Sequence, residues 1–539
     1  MSNSTAPAPV AFSSSQKFLG NDGKWSTFVV RVGTPEQNFE VLPASGMGEI
    51  LVPHVQGCDE SDPSDCGKRR GVFLFGGEQS KGLQQNRSST WALIGLFDLG
   101  LRSDLGYNVN ASYGRDTVGL MIQNSGGPTV ENATIASIAS KKFYTGLFGL
   151  GLQPANFTDF AYPQPSLMRK LRDENRIPSL SYGYTAGAYY KVPKVLGSLT
   201  LGGYDASRFE VNNMKFPFDP DDSRPLSLKV QRISGVNESG RQPSTFTLLD
   251  LETTFQVDFA VPHLWLPLNT CDRFAERFGL IYEKNTGLYR VNETSHAALL
   301  EQNPKFTIGF GATSNPAERV NIELPYAAFD LEAEHPIYPN STRYFPIRRA
   351  NETSKYTLGR TFMQEAYIIT DFERGHFSLH QAQFPETTAK QQIIPILPPD
   401  ILSNSTTNIP KASGQKGLGS GPIAGITVGV AIVLMACLVL LLILYRRHRA
   451  IAQNQDKGEP YAWMPELHDT EKEKPEIQGE GVHEMKGNDI EMAGVPLCEL
   501  EGNGLELDGT NLEEILGEEV GNRDERHGEQ VDGTHSRVD

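Results

Sequence analysis

The segment Phe39-Glu-Val-Leu-Pro-Ala44-Ser-Gly-Met-Gly-Glu49-Ile-Leu-Val-Pro53 decides how this chain is interpreted. A second segment of the chain repeats its spacing up to a closing proline, and we call this shared spacing the frame. The second occurrence reads Val257-Asp258-Phe-Ala-Val-Pro-His-Leu-Trp-Leu-Pro267. In each, the residue nine places before the closing proline is the point of interest: Ala44 in the first, Asp258 in the second. The repeat predicts two related halves that carry different residues at one equivalent position.

Between Trp25 and about Phe384 the chain has a strand-rich pattern. Short β-branched and aromatic runs such as Phe28-Val-Val-Arg-Val alternate with Gly, Asn, Asp and Pro turns, which is typical of β-strands. Two amphipathic stretches, 166–175 and 270–279, predict helices. The length of 539 residues exceeds one ordinary domain. We therefore predict a mostly-β fold with few helices, followed by further segments.

Five segments of the chain carry further motifs: Val32-Gly-Thr-Pro-Glu-Gln37, Ala44-Ser-Gly46 with Pro53, Gly146-Leu-Phe-Gly-Leu-Gly151, Gly197-Ser-Leu-Thr-Leu-Gly-Gly-Tyr-Asp205, and Tyr356-Thr-Leu-Gly-Arg-Thr-Phe362 followed by Tyr367 and Asp371. In their order and spacing these segments resemble the pepsin-like aspartic proteases, most closely the membrane-anchored kind found at fungal cell surfaces. The resemblance implies a bilobal fold, with an N-terminal lobe at 18–203 and a C-terminal lobe at 204–387, and peptide hydrolysis without a cofactor.

The two catalytic aspartates of that family correspond to Ala44 and Asp258 in this chain. The family's chemistry needs two carboxylates that share a proton, so that one activates water while the other protonates the scissile carbonyl. A methyl group at position 44 can do neither. Phe259 and Ala260 also replace the Thr/Ser-Gly that follows the second aspartate in the family. The resemblance therefore implies a catalytically degenerate member in which Asp258 is the remnant of the pair.

Several site assignments stay open. Glu49 is a conceivable substitute acid, but it stands where the family often has a non-catalytic aspartate. Asp258 is either a relic carboxylate in a ligand-binding cleft or a turn residue that accepts backbone hydrogen bonds. The tyrosine that covers the cleft in the family corresponds to Tyr107 or Tyr113, and either could instead be a structural residue of a half-buried strand.

Residues 422–445 predict one transmembrane helix. The stretch 423–445 carries no charge, and as a helix it reaches ~34 Å, enough for a ~30 Å hydrocarbon core. Arg446, Arg447 and Arg449 follow directly. By the positive-inside rule, the C-terminal side is cytoplasmic and the N-terminal domain extracellular or lumenal.

Two segments flank this helix. Residues 388–421 are rich in Pro, Ser, Thr, Asn and Gly and predict a stalk. Residues 446–539 contain 24 acidic and 10 basic residues and predict a disordered cytoplasmic tail. Gly421, Gly425 and Gly429 recur every four residues, a spacing that permits close packing of two membrane helices.

Ten Asn-x-Ser/Thr sequons precede the apolar stretch and none follows it. This asymmetry predicts N-glycosylation of an exported domain. Residues 1–17 contain no apolar secretory region, so we expect that the true N-terminus is missing or was removed. Besides Asn3, the predicted acceptors are Asn86, Asn110, Asn132, Asn156, Asn237, Asn292, Asn340, Asn351 and Asn404.

Cysteine usage fits an oxidising compartment. Cys58 and Cys66 lie in one short loop and are predicted to form a disulfide, whereas Cys271 has no partner on that side of the membrane. No CxxC or His-rich spacing predicts a metal site. The net charge of −16 and the lack of a basic patch argue against a nucleic-acid partner.

These observations lead to one function and two alternatives. We expect a single-pass cell-surface glycoprotein that is proteolytically inactive and binds a polypeptide or surface ligand in its interlobe cleft. One alternative is an active membrane-anchored endopeptidase that pairs Asp258 with a displaced acid, which requires a carboxyl group within ~3 Å of Asp258. The other is a surface scaffold or adhesion protein whose cleft is closed by large side chains such as Phe259.

Overall fold

The computed structural model describes five stretches of the chain: 6–158, 161–237, 244–311, 318–385 and 390–399. All of them belong to one compact unit, Met1–Lys416. No helix within these stretches combines the length and apolarity needed to cross a membrane. The predicted membrane helix and tail, most of the stalk, and Asn404, Gly421, Gly425 and Gly429 lie outside the described residues.

Strands dominate, because β-branched and aromatic runs alternate with turn-forming residues. The helices of the first half are α1 (Cys66–Arg69) and α2 (Leu167–Asp173). The strands of the first half are β1 (Val10–Phe12), β2 (Ser14–Leu19), β3 (Trp25–Val32), β4 (Gln37–Ala44), β5 (Ile50–Pro53), β6 (Leu74–Phe75), β7 (Glu78–Gln79), β8 (Ala92–Asp98), β9 (Asn110–Leu120), β10 (Thr129–Ile138), β11 (Gly146–Gly149), β12 (Ser181–Thr185), β13 (Ser198–Leu201) and β14 (Gly203–Asp205).

The second half continues in the same way, with helices α3 (Leu268–Phe278), α4 (Glu293–Gln302) and α5 (Arg360–Met363). The two predicted helices correspond to α2 and α3. The strands of this half are β15 (Phe216–Pro217), β16 (Ser227–Asn237), β17 (Ser244–Leu249), β18 (Thr253–Val257), β19 (Leu264–Pro267), β20 (Ile281–Glu283), β21 (Leu288–Arg290), β22 (Lys305–Phe310), β23 (Val320–Pro325), β24 (Leu331–Ala333), β25 (Thr342–Phe345), β26 (Ile347–Ala350), β27 (Thr357–Leu358), β28 (Ala366–Asp371), β29 (His376–Gln381) and β30 (Ile393–Pro395).

Three large sheets organise the fold. The first lobe is built on an eight-stranded sheet of order β2-β3-β4-β11-β5-β10-β9-β8. The second lobe is built on β23-β22-β16-β18-β27-β19-β26, with β17 paired to β16. A six-stranded sheet of order β1-β13-β12-β28-β29-β15 takes strands from both halves of the chain. The predicted mostly-β, bilobal architecture is thereby confirmed.

The two lobes repeat one local arrangement around the duplicated sequence frame. In the first lobe, β11 pairs in parallel with β4 and antiparallel with β5. In the second lobe, β27 pairs in parallel with β18 and antiparallel with β19. Ala44 ends β4, and Asp258 directly follows β18. The repeat therefore brings residues 44 and 258 to equivalent strand ends.

The folded domain extends past residues 18–387 at both ends. The segment 1–17 contributes β1, whose residues 10–12 pair with Leu199–Leu201 of β13. The predicted stalk contributes β30, which pairs with β14 through Ile394 and Tyr204. Backbone pairing recruits these segments, although their composition resembles that of a loop.

The predicted disulfide between Cys58 and Cys66 is confirmed. Next to it, the fully buried Arg70 donates hydrogen bonds to the backbone carbonyls of Gly57, Ser140 and Tyr144. Burial lowers the pKa of Arg70 to about 10, and these carbonyls satisfy the guanidinium in place of water. The disulfide loop is thus tied to the β10–β11 connection.

The predicted glycan acceptors lie mostly on the surface. Of the eight that fall in the described stretches, seven are exposed, and Asn237 is half-buried, with its side chain donating to Gln302. Asn292 caps α4 by accepting a hydrogen bond from the Ser295 amide. Exposure makes attachment sterically possible at the other seven; glycosylation itself stays a prediction.

Candidate active-site cleft

The side chain of Asp258 is fully buried and completely hydrogen-bonded. Its Oδ1 accepts from the Ser45 hydroxyl at 2.9 Å and from the Ala260 amide at 3.0 Å, and its Oδ2 accepts from Arg102 Nη1 at 3.0 Å. None of the hydrogen-bond partners that the described stretches supply to this carboxylate is another carboxyl group. Asp258 therefore accepts a backbone hydrogen bond, as a turn residue would, and also reaches across to the first lobe.

Arg102 is the partner that dominates the electrostatics of this site. It is only 8% exposed, and its Nε and Nη2 each lie 3.0 Å from the carboxylate of Asp104. Nη2 also donates to the Thr357 hydroxyl at 3.0 Å. Burial opposes the charge on Arg102, but Asp104 and Asp258 outweigh it and raise the pKa of the guanidinium above its ordinary value. The arginine stays charged and neutralises Asp258.

Arg102 belongs to the loop 99–109 that joins β8 to β9, which we call the hairpin loop. The backbone of Arg102 is in the left-handed region, with φ 51° and ψ 38°, where non-glycine residues are uncommon. The carbonyl of Arg102 accepts from the amides of Leu105 and Tyr107. Lys142 Nζ holds the same loop by donating to the Gly106 carbonyl at 2.8 Å. Such strain persists only where the surroundings over-determine it.

Ala44 is fully buried and contributes only a methyl group to the apolar cluster beneath the cleft. Beside it, a Cβ on Gly46 would lie 3.2 Å from Leu101 Cδ1 and 3.7 Å from Asp258 Oδ2. The missing side chain at position 46 therefore lets the hairpin loop approach Asp258 closely. The family's glycine is retained here, while the acid it accompanies is absent.

Glu49 is committed to another partner. Its carboxylate accepts from the Tyr113 hydroxyl at 3.2 Å and from the Gly48 amide at 3.1 Å. Burial raises the pKa of Glu49. Among the described residues, Cys58, Asp62 and Cys66 bring possible metal-ligand atoms close together. Because the two sulfurs form the disulfide, the carboxylate of Asp62 is the ligand that remains in this group.

The two tyrosine candidates occupy different places in the β8–β9 hairpin. Tyr113 lies within β9 and is buried. Tyr107 lies in the hairpin loop and stacks on Phe143, with ring centroids 5.0 Å apart. The residue of this hairpin that reaches Asp258 is Arg102 rather than either tyrosine.

Phe259 does not close the cleft. Its ring is fully buried and packs against two tyrosines of β12 in the six-stranded sheet. The distance between ring centroids is 4.8 Å to Tyr184 and 6.4 Å to Tyr182. Phe259 is therefore part of the main hydrophobic core, and it does not line the cavity at Asp258. The expectation that large side chains such as Phe259 fill the cleft is therefore wrong for this residue.

The hairpin loop runs between two cavities. The first, of about 660 Å³, is lined by residues 100–102 of the loop, by Ser45 and Gly46, and by Asp258. The second, of about 380 Å³, is lined by residues 105–107 of the loop and by residues of both lobes. Cavities of this size accommodate side chains or small ligands. The loop thus covers Asp258 but leaves room on either side.

Sequence reasoning missed Arg102 entirely. The available signal was weak: Arg102 stands between Gly100 and Gly106 in a polar loop that separates two strand-like runs. Loops held by a rigid scaffold often carry functional residues, which would have justified attention to its charged members. Its ion pair with Asp258 spans 156 residues of sequence, and no local pattern encodes such a contact.

This chain is similar to a known protein family, to individual fungal proteins and to a solved structure. Residues 27–382 match the family model described as Eukaryotic aspartyl protease. Secreted aspartic protease 6 of Candida albicans is 22% identical over 374 residues, which cover 68% of this chain and 78% of that protein. Barrierpepsin of Saccharomyces cerevisiae is 21% identical over 393 residues, which cover 68% of this chain and 61% of that protein. The crystal structure of aspartic proteinase from Irpex lacteus has 16% identity and a TM-score of 0.45, covering 71% of this chain and 100% of that one.

Proposed function

Because the chain belongs to the eukaryotic aspartyl protease family, we propose that it is a proteolytically inactive member whose cleft binds polypeptide without cutting it. The predicted resemblance to pepsin-like aspartic proteases is confirmed at the level of the family. The inactivity, the ligand and the membrane anchor are parts of the proposal. We place the protein at the cell surface as a single-pass N-glycoprotein, on the basis of the apolar stretch 423–445 and the sequons that precede it.

One observation carries the inactivity: Asp258 is ion-paired to a buried arginine while Ala44 stands at the partner position. An aspartic protease needs two carboxyl groups that exchange one proton through a water molecule. Here the single carboxylate is paired with a permanent cation, whose pKa is raised further. Among the described residues, no hydrogen-bond partner of Asp258 is a carboxyl group. Asp258 therefore has no second acid with which to share a proton.

The binding part of the proposal is supported by the two cavities on either side of the hairpin loop. Affinity for an extended peptide comes from side-chain pockets and main-chain hydrogen bonds. Neither of these requires the catalytic pair. Of the relatives named above, the Candida albicans protein is described as a secreted aspartic protease, so a binding role would be a departure from its activity.

The decisive experiment incubates the purified full-length chain with a mixed peptide library between pH 3 and pH 7. Asp258→Asn serves as the matched control, because it keeps the shape of the side chain and removes its charge. We expect no cleavage in either protein and retention of a subset of peptides by the wild type. Cleavage that disappears in Asp258→Asn would overturn the inactivity and revive the endopeptidase with a displaced acid.

A second candidate, a surface scaffold with a closed cleft, is favoured by one observation. The hairpin loop covers Asp258 so completely that the carboxylate has no exposed surface. A loop that never opens would leave no continuous groove for an extended chain. If the library experiment yields neither cleavage nor retention, the scaffold replaces the peptide-binding role.

A further inference from the structure

The second cavity is lined by a histidine and by several basic side chains. Its wall includes His263, Arg348 and Lys142, together with Tyr107 of the hairpin loop. These residues come from both lobes. A charged side chain of this wall can bind a ligand only if it lacks a partner of opposite charge inside the protein.

His263 is an unpartnered polar group at the wall of this cavity. Its side chain belongs to a residue only 2% exposed, and neither ring nitrogen has a hydrogen-bond partner among the described residues. Buried polar groups are nearly always hydrogen-bonded, so each exception calls for an explanation, such as a functional role or a bound ion. Burial, followed by the charges of Arg348 and Arg360, lowers the pKa of His263 well below its ordinary value. The neutral ring still has one N–H to donate.

Arg348 supplies an unpaired positive charge next to this histidine. It lies on β26, with its guanidinium carbon 5.4 Å from the ring centroid of Trp265. Its Nε is buried without a hydrogen-bond partner, and no carboxylate of the described stretches lies within salt-bridge distance of it. An arginine fixed against an aromatic face is pre-organised to receive a carboxylate or phosphate.

The other charges around the cavity are compensated or exposed. Lys141 is paired with Asp59 and Asp62. Asp22 accepts from Arg360 at 3.3 Å and from the Trp25 indole at 2.7 Å. The net charge that remains at the wall is therefore positive.

Lys142 adds to this positive charge. Its ammonium group donates to the backbone carbonyls of Gly106 and Asn108. It forms no ion pair with a carboxylate of the described residues, so its charge is oriented but not neutralised.

We propose that the second cavity is an anion-binding site that takes a carboxylate of an acidic peptide ligand, through Arg348 and the N–H of His263. This inference rests on the proposed peptide-binding function and specifies the ligand class. The anion would supply the partners that His263 and Arg348 Nε lack, and the fixed donors would pay little reorganisation cost on binding. Lys142 would attract acidic ligands at long range.

The test is isothermal titration calorimetry on the purified full-length chain at pH 7. Three probes are compared: a glutamate-rich peptide, the same peptide with every glutamate changed to glutamine, and inorganic phosphate. We expect the acidic peptide to bind roughly 10- to 100-fold more tightly than its amide counterpart, as for one buried charge-assisted contact. Arg348→Gln should abolish this preference.

Arg349→Gln is the matched control. Arg349 is the next residue of β26 and points to the other face, where it pairs with Asp272. It should leave the preference for the acidic peptide intact. If Arg348→Gln does not fold, Arg348→Lys keeps the charge and should keep most of the preference. The comparison of the two peptides on the wild-type protein needs no variant at all.

The outcomes separate this inference from the proposed function. Equal affinity for the two peptides would overturn the anion site while leaving peptide binding in place. Phosphate binding that depends on Arg348, without binding of either peptide, would support the anion site and assign it to a small anion, overturning the peptide role. If no probe binds, both the anion site and the peptide-binding function are wrong.

Discussion

In the first lobe β4 ends at Ala44 beside the parallel strand β11, and in the second β18 ends beside the parallel strand β27, where Asp258 follows. Each end is also held by a backbone hydrogen bond to the neighbouring segment, through the carbonyl of Ala44 in one lobe and the amide of Asp258 in the other. The Leu150 amide donates to the Ala44 carbonyl at 2.9 Å, and the Asp258 amide donates to the Leu358 carbonyl at 3.0 Å. The same main-chain frame thus holds a methyl group in one lobe and a carboxylate in the other.

The difference continues along the frame. One residue on, Ser45 donates to Asp258, whereas Phe259 packs in the hydrophobic core. Five residues on, Glu49 is bonded to Tyr113, whereas His263 has no partner among the described residues. The comparison teaches that strand pairing preserves this architecture while its side chains change role, because the backbone bonds do not depend on side-chain identity.

The largest effect should come from Phe259→Ala. The ring is fully buried, and its removal leaves a cavity that costs roughly 3–5 kcal/mol of the free energy of unfolding. Equilibrium denaturation with urea measures this change. A loss below about 1 kcal/mol would mean that position 259 is not the packing anchor that distinguishes the second lobe.

Asp258→Ala makes the two lobes alike at the equivalent position. It should cost roughly 3 kcal/mol, the low end for breaking a buried ion pair, because Arg102 keeps Asp104 as a partner. The double variant Asp258→Ala/Arg102→Met should recover much of this loss. Additive losses in the double variant, measured by the same denaturation, would show that the two side chains are not coupled.

His263→Gln tests the second-lobe member of the pair Glu49 and His263, which occupy equivalent positions in the two lobes. The folded-state pKa of His263 lies well below its ordinary value of 6.5, so the unfolded state binds more protons below that pH. Stability should therefore fall as the pH drops below about 6.5. The variant should lose less stability than the wild type in this window, as measured by thermal unfolding at successive pH values. Identical pH profiles of the variant and the wild type would show that His263 does not cause the loss of stability at low pH.

Glu49→Gln tests the other member of this pair, with the opposite sign. The folded-state pKa of Glu49 is raised above its ordinary value of 4.5 by burial, so the folded state holds a proton that the unfolded state has released. Stability should fall as the pH rises above about 4.5. Glutamine cannot ionise, so the variant should lack this fall. Tyr113→Phe is a useful companion, since it removes the hydroxyl that favours the charged form.

Ser45→Ala should have the smallest effect. It removes one of three hydrogen bonds to Asp258, worth roughly 1.5 kcal/mol for a bond to a charged group. Arg102 and the Ala260 amide would still hold the carboxylate. Denaturation of Ser45→Ala alongside Ser45→Thr, which keeps the hydroxyl, checks the assignment. Equal stability of the alanine and threonine variants would contradict it.

Much of the fold could be predicted from local patterns. The strand-rich stretch, the two predicted helices, which correspond to α2 and α3, and the disulfide of Cys58 and Cys66 all follow from residues close together in sequence. The limits of the domain could not be predicted in the same way. Strands β1 and β30 are short and loop-like in composition, and only pairing with distant strands orders them.

The amino-acid sequence by itself determined the repeated frame, the membership of a protease family and the absence of the first aspartate at position 44. These properties reside in residue identity and spacing. Only the tertiary structure decided that Arg102 neutralises Asp258, that Phe259 packs in the core and that His263 and Arg348 face a common cavity. Burial and ion pairing depend on which distant segments meet, and no local pattern specifies that.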